Sequence, residues 1–235
     1  MGANLVRALE SEPQVSETVV LDDFSFGFRH YLEGTEATVI EGSVLDPETL
    51  NRAVRGCSAV VHLAARSSVP RSIEDPISTH EANATGTVRL LEAIRAAGGV
   101  HLVVASSSSV YGKTEALPKR EDLPTRPMSP YAASKLAAES YALAWADCYK
   151  LPVLAFRFFN IYGPLQPPRH AYAAAIPTFL AAVFQGQPLP VFGDGTQTRD
   201  FTYIDSVVGA IVSALRERSC YPEPVNLAFG SQTSL

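Results

Sequence analysis

The feature that most constrains this chain is the regular exchange of two hydrophobic periodicities along its length. Short runs rich in β-branched residues alternate with longer stretches whose apolar residues recur at helical spacing. Ala3 to Leu9 reads as helix, Thr18 to Leu21 as strand, Thr38 to Glu41 as a second strand, and Asp46-Pro47 opens a helix through Val54. Ala59 to Ala64 is a third strand, Ala84 to Ala97 a long helix, and Leu102 to Ala105 and Val153 to Phe158 two further strands. Strands separated by helices are the pattern of crossover connections, so the alternation predicts an α/β fold with a doubly wound parallel sheet.

Open sheets of this kind place ligands at the carboxyl ends of their strands. There the chain reads Val-Val-Ala-Ser-Ser-Ser-Ser-Val-Tyr-Gly from Val103 to Gly112, and after a Pro-rich loop Ser-Pro-Tyr-Ala-Ala-Ser-Lys from Ser129 to Lys135. Pro130 suits the first turn of a helix, which sets Tyr131 and Lys135 at i and i+4 on one face. A phenol ionises near pKa ~10, and an ammonium a few ångströms away favours the phenolate, turning the ring into a base usable near neutrality. A serine hydroxyl opposite would hold the oxygen of a reacting alcohol. Taken alone, Tyr-x-x-x-Lys is more often an ordinary helix surface.

Composition narrows the partners. A chain of 235 residues, 46% hydrophobic and 18% charged, has material for a full core. The net charge of −5, without a long basic run, argues against nucleic acid or an anionic membrane and leaves small molecules. Cys57, Cys148 and Cys220 are odd in number and at no metal-ligand spacing, which fits reduced thiols in a cytoplasm. The first ten residues carry charge and lack the apolar run of a secretory signal, no segment reaches membrane-spanning length, and Val6 stands where a myristoylation motif needs Ser or Thr.

A third motif, Arg157-Phe-Phe-Asn-Ile-Tyr-Gly-Pro164, completes a set far more specific than its parts. With it the chain resembles the extended short-chain dehydrogenase/reductases, and within them the nucleotide-sugar 4-epimerases of the UDP-glucose and UDP-N-acetylglucosamine type. The resemblance implies a Rossmann-like NAD-binding domain over residues 1–163 and a smaller, intermingled substrate lobe over residues 164–235. It also implies NAD as cofactor, a UDP-sugar as substrate, and a homodimer built on helices like Ala84–Ala97 and Pro130–Trp145. Family members open with a strand and a Gly-x-x-Gly-x-x-Gly turn. Gly2 matches the third glycine, so the expectation is a sheet incomplete at its start, with two ladder edges exposed and the phosphate cradle lost. Thr233 or Ser234 reads as a helix cap with no helix after it, so the far end is expected to be cut as well.

By the same carry-over, Ser107 is the catalytic hydroxyl, Tyr131 the base, and Lys135 the residue that lowers its pKa while binding the nicotinamide ribose. Asp22 would bond the adenosine ribose hydroxyls and repel a 2′-phosphate, selecting NAD over NADP. Ser43 stands where the family carries an adenine-contacting Asp. Leu63, Ala64 and Ala65 would let the dinucleotide approach, with His62 a packed strand histidine, and Phe158 would border the cofactor at the next strand end. Asn83 is read either near the nicotinamide or as a helix cap. Ser68 and Arg71 match a loop beside the sugar, a solvated loop being the other reading. Asn160 and Arg199 are assigned to the diphosphate and Phe192 to the uracil, with Asp200 as a further phosphate-side partner and Asp205 as the cap of a helix from Ser206. In this family dehydratases carry Asp and Glu directly after the catalytic hydroxyl residue, and decarboxylases keep the Glu. Here Ser108 and Ser109 stand there, leaving proton abstraction and hydride transfer, the minimum of a 4-epimerase. A net oxidoreductase and an inactive fragment are the remaining alternatives.

Overall fold

Strand and helix alternate as the periodicity predicts. The structure is a computed structural model and describes residues 1–167, 175–191 and 193–234. Its first half runs α1 (Gly2–Glu10), β1 (Val19–Asp22), β2 (Thr38–Glu41), α2 (Pro47–Val54), β3 (Ala59–His62), α3 (Val69–Glu74), α4 (Pro76–His80), α5 (Gly86–Ala96) and β4 (His101–Ser107). Then follow α6 (Pro130–Tyr149), β5 (Val153–Phe158), β6 (Asn160–Tyr162), α7 (Ala175–Phe184), β7 (Thr198–Arg199), β8 (Phe201–Tyr203), α8 (Ile204–Arg216), β9 (Val225–Leu227) and β10 (Thr233–Ser234).

The central sheet has the order β3-β4-β5-β9 and every pairing in it is parallel. Side-chain alternation sends Leu102, Val104, Val153 and Ala155 to one face, where Leu50, Leu90, Leu91 and Ile94 complete a core. Val103, Ala105, Leu154 and Phe156 face the other way, against Leu5 of α1 and Val207, Val208 and Ile211 of α8. Both faces are therefore covered by helices, which is what a buried parallel sheet requires. Helix starts are set locally. Asp46 accepts a hydrogen bond from the Glu48 N–H ahead of Pro47, and Ser129 accepts one from the Ala132 N–H ahead of Pro130.

β1 and β2 form a separate parallel pair. Neither β1 nor β3 has a second partner strand among the described residues, and both edges face one cleft, in keeping with the ladder edges expected from the sequence. Burial follows: β4 is buried at every position, whereas β1 and β3 are only partly buried.

Several expectations are corrected. Residues read as a loop after Ser67 form α3, with Ser68 as its cap and Pro70 in its first turn. The long helix from Ala84 instead starts as a π turn over Glu81–Thr85 before α5 begins at Gly86, where a Cβ would sit 2.7 Å from Val44 Cγ2. The stretch from Pro188 to Phe201 reads in sequence as a strand, a tight glycine turn and a second strand, but residues 188–191 are not a strand, because Pro188 and Pro190 have no N–H to donate to a ladder. β7 pairs instead with β10, antiparallel, so Thr233 and Ser234 belong to a strand and cap no helix. Asp205 lies inside the first turn of α8, whose cap position is Tyr203, so its charge favours the helix end without capping it. No described helix is long and apolar enough to cross a membrane.

Candidate active site

β4 ends in Ser106 and Ser107, and the chain turns through a 3-10 segment at Ser108–Tyr111. Gly112 closes that turn at φ +59°, where a Cβ would lie 1.8 Å from the Arg126 carbonyl oxygen, so only glycine lets the Pro-rich loop fold back here. The loop delivers Pro130 to the start of α6, and α6 packs against β4 and β5. This brings two residues far apart in sequence together: the Ser107 hydroxyl lies beside the Tyr131 phenol, close enough to favour its ionised form, and both line one cleft. Ser107 Oγ also accepts from the Ser109 N–H at 3.2 Å and from the Ser109 hydroxyl at 2.9 Å, which orients it.

Burial pushes the Tyr131 phenol above its ordinary value, and the neighbouring Ser107 hydroxyl only partly opposes this. The expectation that Lys135 holds Tyr131 low is therefore not met in the protein alone, where desolvation is the larger effect. Lys135 itself, one turn along α6, is pushed down to about 8 by burial, against which the Glu139 carboxylate acts. Its ammonium makes no hydrogen bond among the described residues and borders a cleft of about 1830 Å³.

That cleft opens at the carboxyl ends of β1, β3 and β4. Gly2, Asp22, Leu63, Ala64, Ala65 and Phe158 line it together with Ser107, Tyr131 and Lys135. Asn160 and Arg199 border it too. The Asp22 carboxylate accepts from the Phe24 N–H at 2.8 Å, and its pKa is raised, chiefly by burial. A Cβ on Gly2 would meet nothing within 4 Å, so the packing of the protein alone does not require glycine there. Asn160 Nδ2 donates to the Asp200 carbonyl at 3.0 Å. Phe192 lies outside the described residues.

Four assigned side chains are placed otherwise. Asn83 is buried and accepts from the Arg66 N–H at 2.7 Å while donating to the Arg66 carbonyl and to Ser134 Oγ. Both amide hydrogens and the amide oxygen are engaged by the protein, so it pins the loop after β3 to α6; it caps no helix and is not part of the cleft lining. Ser68 is used by the Arg71 N–H as the cap of α3. Arg71 stacks on the Phe26 ring at 4.7 Å, with Arg66 near the same ring at 5.5 Å. Asp200 accepts from the backbone N–H groups of Phe229, Gly230 and Ser231, so its carboxylate is committed to that loop. The sequence reading missed one buried group, the Glu139–Arg157 ion pair at 2.6 Å. The signal that could have found it is the i+8 position of Glu139 on the Tyr131–Lys135 face.

His62 is packed as expected. Thr87 spends its proton on the Asn83 carbonyl at 2.6 Å, so it accepts from His62 at 2.9 Å and the proton sits on Nε2. Burial, with the Lys135 charge behind it, lowers the imidazole to about 3. The unfolded chain takes up this proton near pH ~6.5, so stability is lost as pH falls from there, by about 2 kcal/mol at about pH 5. Urea denaturation across that range should show a flatter acid limb for His62→Gln; equal losses in both proteins would show that His62 is not the group responsible.

The residues lining the cleft fit a nicotinamide dinucleotide. An ammonium with unused donors suits ribose hydroxyls, Asp22 suits a second ribose, and small residues at the end of β3 allow close approach. Comparison with known proteins supports this. The model of the NAD dependent epimerase/dehydratase family matches residues 1–228. UDP-glucose 4-epimerase of Mycolicibacterium smegmatis is 40% identical over 203 residues, covering 83% of this chain and 64% of that protein, so the chain spans under two thirds of that relative. Among solved structures, UDP-N-acetylglucosamine 4-epimerase from Methanobrevibacter ruminantium superposes with TM-score 0.92 at 32% identity, over 99% of this chain and 74% of that one. The dTDP-glucose 4,6-dehydratase DesIV from Streptomyces venezuelae, solved with NAD bound, gives 0.90 at 32% identity over 99% of this chain and 74% of that one. A match over nearly the whole sequence, on a fold that joins Ser107 to Tyr131 beside a cleft, means that the chain belongs to the NAD dependent epimerase/dehydratase family.

Proposed function

We propose that the protein is a UDP-sugar 4-epimerase in which Tyr131 is the base, Ser107 steadies the reacting oxygen and Lys135 stabilises the phenolate. The observation that carries this is the juxtaposition of Ser107 and Tyr131 in the lining of one cleft, with a buried ammonium one helical turn away. Tyr131 takes the C4 hydroxyl proton, and Ser107 donates to the same oxygen as it becomes a carbonyl. Burial opposes ionisation of the phenol in the protein alone, and the Lys135 ammonium on the same helix face is the charge this reading assigns to favour the phenolate once cofactor and substrate are bound. NAD, when bound, supplies the hydride acceptor and donor at C4. Asp22 and Lys135 hold its ribose hydroxyls, and Asn160 and Arg199 hold the sugar nucleotide's diphosphate. Epimerisation is favoured over dehydration because Ser108 and Ser109 offer hydroxyls, neither an acid nor a base of carboxyl strength near neutral pH, and the Ser109 hydroxyl already donates to Ser107.

The same reading divides the chain into a cofactor domain, residues 1–163, and a substrate lobe, residues 164–235. It pairs two copies through α5 and α6, where Tyr141 and Tyr149 are exposed. Free Cys57, Cys148 and Cys220 support a reducing cytoplasm. The test uses the full-length protein with UDP-galactose deuterated at C4, and in parallel the N-acetyl and C6-acid forms. The expected result is a C4 epimer that keeps the label without net NADH. Net NADH with release of a ketone would make the protein an oxidoreductase, and a 4-keto-6-deoxy product would make it a dehydratase.

A further inference from the structure

Behind the Ser107–Tyr131 pair lies a polar group that the reaction as described does not use. Ser106, Arg157 and Asn226 stand in one row across β4, β5 and β9, since Ser106 pairs with Arg157 and Arg157 with Asn226. Glu139 reaches this row from α6. Its Oε2 accepts from the Ser106 hydroxyl at 2.5 Å and from Arg157 Nε at 3.0 Å, and its Oε1 accepts from Arg157 Nη2 at 2.6 Å. Arg157 Nη1 donates to the Tyr111 hydroxyl at 2.9 Å, which donates to Asn226 Oδ1 at 2.7 Å. Both carboxylate oxygens are therefore bonded, and Glu139 is 3% exposed.

Tyr131, Lys135 and Glu139 follow one another at four-residue intervals, so they share one face of α6. Ser106 is the backbone neighbour of Ser107. One carboxylate thus grips the strand that carries the hydroxyl and the helix that carries the base. We propose that Glu139 is a positioning residue for the reaction: through Ser106 it sets Ser107 against Tyr131, and its negative charge lies behind the Lys135 ammonium. The proposal rests on the reading of Ser107, Tyr131 and Lys135 as the reacting groups.

The titratable groups around Lys135 are few. His62 comes from β3 and is neutral, Arg157 comes from β5, Tyr111 from the 3-10 turn, and Tyr131 and Glu139 from α6 itself. β4 contributes Ser106 and Ser107, which carry no charge. Among these described residues Glu139 is the one anion. Without it two cations, Arg157 and Lys135, are left without their counter-charge, and since Arg157 does not release its proton, the titration that moves is that of Lys135.

The experiment follows Lys135 by NMR of side-chain isotope-labelled lysine in the full-length protein, alongside pH profiles of kcat and KM. In Glu139→Gln the Lys135 titration should move about one pH unit to lower pH, and the alkaline limb of kcat should move with it. Glu139→Asp, which keeps the charge, should restore the titration. Ser106→Ala removes only the link to β4, a small change in a folded protein. It should lower kcat about tenfold through misplacement of Ser107, with KM and the Lys135 titration unchanged. An unmoved Lys135 titration in folded Glu139→Gln, or full kcat in Ser106→Ala, overturns the inference. If Glu139→Gln does not fold, Ser106→Ala still decides. Full turnover in Tyr131→Phe would instead overturn the reading of the site, whatever Lys135 does.

Discussion

Tyr131→Phe in the full-length protein is expected to lower turnover by about two to four orders of magnitude, the range for removing a positioned general base. The change takes away a single oxygen. The ring keeps its place at the start of α6, where helix geometry is set by the Ser129 cap and Pro130, and neither depends on the phenol. Ser107 keeps its two contacts from Ser109, so its orientation should survive the loss of its Tyr131 partner. Binding of the sugar nucleotide is therefore expected to change little, and calorimetry of UDP binding beside steady-state kinetics separates the two effects. A variant that binds and turns over like the parent would remove Tyr131 from the chemistry. One that has lost binding as well would show that the phenol holds the site together and does not simply act in it.

Arg157→Met is expected to destabilise the fold by about 3–5 kcal/mol, because truncating one member of a buried pair leaves its partner's charge without compensation. Both side chains are almost wholly buried, at 5% and 4% exposure, so water cannot take over the role of the guanidinium. The loss extends further: Tyr111 would lose both the Nη1 donor and the cation stacked at 4.8 Å from its ring. Urea denaturation near neutral pH measures the change. The contrast lies with exposed pairs such as Arg29–Glu41, more than half exposed on both sides, whose disruption should cost under about 1 kcal/mol. A small loss for Arg157→Met would mean that the surrounding core, and not the ion pair, joins β4, β5 and α6.

What could be read in advance follows the range of the interaction responsible. Thr38–Glu41, Pro47–Val54 and Val153–Phe158 have the predicted boundaries because pattern, cap and proline are local signals. β10 escaped because it is two residues long and exists only through its partner β7. The same division holds at the site. The one-turn spacing of Tyr131 and Lys135 is local, and so is the serine run at the end of β4. Arg71 and Asp200 were read as ligand contacts, but the Phe26 ring and the N–H groups of residues 229–231 reach them first.

From its residues alone the chain determined an alternating α/β order, a base and a lysine on one helix face, and a hydroxyl at a strand end, since these depend on neighbours within a few positions. Tertiary structure decided which polar groups are already satisfied by the protein and which are left to meet a ligand. It also decided the electrostatics. Burial raises Tyr131 and lowers Lys135 and His62, and a carboxylate eight residues from the base becomes the counter-charge of the site. Desolvation depends on everything packed around a group, so no stretch of sequence carries it.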